Sequence, residues 1–120
     1  MNDLRYGSWA PTVPTLLCGG DEDPTVLYFN TQTMVAFWSA LPVGAVTELD
    51  LSAAPSGPFA AIQTGFQTSQ AEELAFLQSA AGGGLSATAA GQQLIENYHT
   101  SVAPFCSLAA RSFFSLILAE

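Results

Sequence analysis

The sequence has no lysine, and Arg5 and Arg111 are its only strong cations against ten acidic residues, for a net charge of −8. Two cations cannot neutralise a run of phosphates, which argues against nucleic-acid binding. Docking on an anionic membrane surface is disfavoured for the same reason. Charged residues make up 10% of the chain, where an average globular domain carries about 25%. No apolar run approaches the ~18 residues of a membrane span, and Met1-Asn2-Asp3-Leu4-Arg5 has none of the features of a signal peptide. Cysteine and histidine are equally scarce. Neither Cys18 nor Cys106 has a second Cys or His two to four residues away, so no zinc motif forms. A metal site on His99, the one histidine, with Asp21 and Asp23 would hold a single imidazole, too few ligands for a dedicated site. No cofactor motif is present.

What the chain does have is apolar residues, 49% of 120. That is enough for one domain and incompatible with intrinsic disorder. So apolar a surface with so few charges is expected to lie against a partner or against more of the same domain. The cysteines leave two readings open. A Cys18–Cys106 bridge closes a long loop worth roughly 4–5 kcal/mol, and two ordinary buried thiols fit as well.

The order of elements is informative. Residues 12–18 (TVPTLLC) read as a short apolar strand with Pro14 near its start. An acidic loop of turn formers, Gly19-Gly20-Asp21-Glu22-Asp23-Pro24, follows it. Asn30 or Thr31 then offers an N-cap, and Met34, Val35, Phe37, Trp38 and Leu41 recur at helical spacing until Pro42-Val43-Gly44 stops the helix. Residues 45–51 (AVTELDL) alternate as a second strand, with Thr47, Leu49 and Leu51 on one face. Strand, helix, strand with short connections is a βαβ unit with parallel pairing. Beyond it the pattern predicts a helix over 59–81 with Gly65 as a weak point, then a break at Gly82-Gly83-Gly84. A second helix capped by Ser86 runs to Tyr98, a short loop follows, and a last helix opens at Pro104. The last helix is apolar on nearly every side and expects to be covered.

In an open parallel sheet, functional side chains sit in loops beyond the carboxyl ends of the strands. Asp21, Glu22 and Asp23 stand there after the first strand, and His99 comes after the second. Asp followed by His is the order that closes a hydrolase triad. An imidazole takes the proton of a serine hydroxyl, and a carboxylate on its other nitrogen fixes the tautomer and stabilises the imidazolium. A solvated helix-start turn and a lone capping or core histidine are the plainer alternatives.

Two stretches add a resemblance. Val13-Pro14-Thr15-Leu16-Leu17-Cys18-Gly19-Gly20 with Asp23-Pro24-Thr25-Val26 resembles the penultimate strand and acid loop of bacterial α/β-hydrolases, the esterases and lipases. Tyr98-His99, Ala103-Pro104-Phe105-Cys106 and Ala109-Ala110-Arg111-Ser112-Phe113-Phe114 resemble the histidine loop and closing helix of a group of those enzymes. The resemblance runs from about Trp9 to Phe114 and matches only the C-terminal portion of that domain. It implies an α/β fold, the C-terminal βαβ portion of a hydrolase sheet followed by helices. The chain is then one partial domain, 1–120, with an acid loop at 19–26, a helical insertion at 52–97, and a histidine loop and closing helix at 98–119. Carried over position by position, Asp23 matches the triad acid and His99 the base, while Asp21 and Glu22 fall in the variable gap. The resembling proteins are often exported, which would suit a Cys18–Cys106 bridge.

The departures are equally specific. A complete enzyme of this kind needs a Gly-x-Ser-x-Gly elbow and an oxyanion hole. Gly7-Ser8-Trp9 lacks the closing glycine, and Gly84-Leu85-Ser86-Ala87-Thr88 follows the acid and looks like a helix cap. The expectation is a piece of an ester-cleaving serine hydrolase that supplies Asp and His without the nucleophile. It would work with a missing N-terminal portion and an ester substrate, or self-associate. The alternative, from another class, is a non-catalytic module that pairs with another chain through its sheet edge and apolar last helix.

Overall fold

In a computed structural model, residues 10–40 and 45–119 are described. They form a mixed α/β arrangement with one two-stranded parallel sheet and three helices: β1 (Thr15–Gly19), α1 (Tyr28–Trp38), β2 (Val46–Asp50), a short 3₁₀ turn (Gly57–Phe59), α2 (Ala60–Gln78) and α3 (Ala87–Leu118). The expected helix stop at Pro42-Val43-Gly44, Leu41 before it, and the Gly7-Ser8-Trp9 segment lie outside the described residues.

β1 begins directly after Pro14, which has no N–H to give a ladder. It pairs with β2 in the register Thr15↔Val46 to Gly19↔Asp50. Because successive side chains alternate, Leu16 and Cys18 turn toward α3, while Gly19 turns toward the ring of Tyr28 on α1. On β2, Leu49 and the following Leu51 join the same buried cluster as Phe59, Phe66, Tyr98, Val102, Ala109 and Phe113. Glu48, on the opposite face of β2, accepts a 2.7 Å hydrogen bond from the Tyr28 hydroxyl. Helix α1 thus covers one face of the sheet, and α2 with α3 the other. α1 opens two residues before the expected cap, at Tyr28, with no side-chain cap at all. The buried Tyr28 ring, rather than a polar cap, holds its first turn.

The largest difference from the sequence reading is α3. The expected break between Tyr98 and Pro104 does not occur, and one helix of 32 residues runs through both. His99 therefore stands inside a helix and not in a loop, and the boundary drawn at 97/98 falls within a continuous element. The physical reason is the apolar stripe. Ala90, Tyr98, Val102, Ala109 and Phe113 are all buried, and their spacing stays in helical phase across Pro104. Pro104 and Thr100, whose carbonyl loses its i+4 donor, are both on the exposed side, where water can serve the freed oxygen. The cost of an internal proline, about 3 kcal/mol, is set against a stripe that only an unbroken helix can bury. At its start the expectation holds: Ser86 Oγ accepts from the Ala89 N–H at 3.1 Å. Between the helices Gly83 and Gly84 adopt φ of 104° and 61°, conformations that side-chain-bearing residues rarely take.

As one element, α3 is long and apolar enough to cross a membrane by length and composition. The shorter helices read from the sequence were not. It also carries Glu96, His99 and Arg111 and is bonded covalently to the sheet, and 17% of its most apolar stretch is buried. Cys18 and Cys106 form a disulfide, with Cα atoms 5.7 Å apart and a separation of 88 positions in sequence.

All five residues of β1 are only half-buried, unlike the strands of a covered parallel sheet. Phe114 (60% exposed) and Leu118 (85%) face outward on α3. The radius of gyration is 16.9 Å, against about 14 Å for a compact domain of this length. The bridge leads to a direct expectation. Thiol titration of the denatured, unreduced chain should find no free cysteine. Cys18→Ser with Cys106→Ser should lower stability by about 2–5 kcal/mol in chemical denaturation.

Candidate active site

The turn that follows β1 folds around Asp23. Its N–H donates to the Gly20 carbonyl at 3.1 Å, closing the turn. Its carboxylate oxygen Oδ1 accepts from the N–H groups of Thr25 (2.8 Å) and Val26 (3.0 Å). This is the side-chain-to-backbone turn that aspartate readily makes. The other oxygen, Oδ2, lies 2.8 Å from Nδ1 of His99. Asp23 is 4% exposed, and the His99 side chain 46%. Both acid neighbours, Asp21 and Glu22, are exposed. The structure thus brings together the two residues singled out from sequence and leaves the two dismissed acids at the surface.

Electrostatics sets the protonation of the pair. Burial pushes the Asp23 carboxyl upward. The hydrogen bond with His99, the N–H groups of Val26 and Thr25, and the imidazole's charge outweigh burial and hold the group below its ordinary value. An ionised carboxylate can only accept, so Nδ1 is the nitrogen that carries the proton. The lone pair of a neutral ring is then on Nε2. A half-exposed imidazole with its proton fixed on Nδ1 leaves Nε2 free to accept a hydrogen bond or a proton.

Three further groups hold the turns after the two strands, and none was singled out from the sequence. Asp50, the last residue of β2, accepts from the N–H groups of Asp21 (3.1 Å) and Ser52 (2.9 Å) through Oδ1, tying the turns after the two strands together. Gln63 on α2 donates to the Asp50 carbonyl at 2.9 Å and accepts from the Ser56 N–H at 3.0 Å. Gln67 donates to the carbonyls of Leu51 and Ala53. The signal for Asp50 was its place at the end of a strand beside the acid loop. Gln63 and Gln67 lie four residues apart on one helical face, a pattern that reads as a solvated surface until the fold is known. Among the described residues, no group of three or more His, Cys, Asp or Glu side chains is placed to hold a metal ion.

The depressed Asp23 carboxyl makes stability pH-dependent in a defined direction. Its contribution is fully present above the ordinary value of 3.8 and is lost as pH falls through the lower value of the folded chain. Thermal unfolding followed from neutral to acid pH should therefore fall more steeply for the wild type than for Asp23→Asn. At neutral pH, Asp23→Ala should cost about 1–3 kcal/mol, since it strips the acceptor from two part-buried N–H donors and from His99. No protein-family model, no curated protein and no solved structure matches the chain, so the meaning of the pair rests on its own geometry.

Proposed function

We propose that this chain is the C-terminal part of a serine α/β-hydrolase acting on ester bonds, with Asp23 as the triad acid and His99 as the general base. The observation that carries the reading is the 2.8 Å contact between Asp23 Oδ2 and His99 Nδ1, with the acid just past the carboxyl end of a parallel strand. The chain holds no Gly-x-Ser-x-Gly segment. The serine and the oxyanion donors therefore come from another polypeptide segment carrying the earlier strands of the sheet. In the complete site that serine passes its proton to Nε2 as it attacks the ester carbonyl, and Asp23 stabilises the imidazolium that forms. The imidazolium then returns the proton to the leaving alkoxide.

The half-buried β1, the two-stranded sheet and the outward-facing Phe114 and Leu118 support a further segment packing on this one. They also suit the alternative, a non-catalytic module that pairs through the same edge. The Asp23–His99 geometry favours the catalytic version, because Oδ1 alone closes the turn and Oδ2 is left to the half-exposed imidazole.

The purified chain alone should not hydrolyse nitrophenyl esters. Adding a chain that supplies the remaining strands and a nucleophile elbow should create activity. His99→Ala should abolish that activity, and Asp23→Asn should lower it by about 10⁴-fold, the scale seen when a triad acid loses its charge. Association without activity, unaffected by His99→Ala, would instead identify the pairing module.

A further inference from the structure

Tyr98 precedes the candidate base by one residue and is turned fully inward, 3% exposed. Its ring stacks edge-on against Phe66 with centroids 5.5 Å apart. Its hydroxyl reaches out of this apolar cluster to the strand ends. There it shares a hydrogen bond with the Ser52 hydroxyl in the turn after β2. The same hydroxyl stands against Gly20 at the head of the acid turn, so one group meets both turns. The approach is close enough to dictate a neighbour. A Cβ at position 20 would stand 2.1 Å from the Tyr98 hydroxyl oxygen, so only glycine fits there.

The acid turn is thus attached to α3 at two adjacent helix positions. His99 holds it through Asp23, and Tyr98 holds it by close packing on Gly20 and, by way of Ser52, through the Asp50 tie to Asp21. The two attachments differ in kind. The Asp23–His99 bond is at the rim, where water competes for the imidazole. The Tyr98 hydroxyl is buried, and a buried polar group that loses its partner is costly. A single rim contact lets the turn pivot about it, whereas two contacts on consecutive helix residues remove the pivot. We propose that the Tyr98 hydroxyl is the positioning group that keeps the acid turn in register with His99, so that the carboxylate meets Nδ1 before any substrate arrives. This inference rests on reading Asp23 and His99 as the acid–base pair, and Tyr98 itself touches no reacting atom.

The test is the proton position on His99 in the intact chain, read from the imidazole nitrogen chemical shifts by NMR, together with the Asp23 titration midpoint. In the wild type the proton resides on Nδ1. Tyr98→Phe keeps the ring and removes only the hydroxyl. It should shift the imidazole toward the other tautomer and raise the Asp23 midpoint toward its ordinary value. Ser52→Ala, which leaves the tyrosine in place, should move both readouts the same way by less. A role confined to core packing would change the unfolding temperature and leave the tautomer where it was. Wild-type tautomer and Asp23 titration in both variants would overturn the proposal. A wild-type chain without an Nδ1 proton would overturn the acid–base reading itself, and this proposal with it.

Discussion

Helix α3 is a single rod, and its continuity is the constraint on which the candidate site depends. His99 and Cys106 are seven residues apart on that rod, about 10.5 Å along the axis and on nearly the same face. Cys18 and Asp23 are five residues apart across the end of β1. The disulfide therefore joins strand and helix two turns below the point where carboxylate meets imidazole. Had the helix broken at Pro104, the bridge would anchor one segment while the histidine rode on another. Because the rod is unbroken, fixing it at Cys106 also limits where His99 can stand.

The same rod explains an unusual division of labour. Its inward stripe of Tyr98, Val102, Ala109 and Phe113 supplies packing against β2, α2 and the disulfide. The adjoining edge carries His99, and the outer side carries large apolar groups with no cover among the described residues. Under the proposed reading this outer side would be covered by the segment that completes the domain. β1, on the sheet side, is likewise only half-buried.

The sequence made the βαβ unit legible because the elements there are short and sharply punctuated. Pro14 marks a strand start, a run of acids and glycines marks a turn, and Leu49 and Leu51 alternate with Glu48 and Asp50. The pairing of Asp23 with His99 was expected from their order after successive strands, and the fold brings them to 2.8 Å. The helical half was read less well. Pro104 is a strong local stop signal, and local signals cannot report that the flanking apolar residues remain in phase and share one buried surface. Gln63 and Gln67 were illegible for a related reason. The carbonyls they donate to lie 13 to 16 residues away in the chain, and no pattern of side chains announces a distant carbonyl.

The 88-residue ring closed by Cys18 and Cys106 encloses the whole glycine-rich connection between α2 and α3. It also contains both Asp23 and His99, on opposite sides of that connection. A protease that cuts at Gly82-Gly83-Gly84 leaves a fragment bearing the acid and a fragment bearing the base, still one covalent molecule. The cut removes the short tether between two helices, while the strand–helix bond and the turn contacts that bring acid to base are untouched. The contacts that bring acid to base therefore do not run through the connection, and the oxidised bridge keeps the two halves one molecule when it is opened.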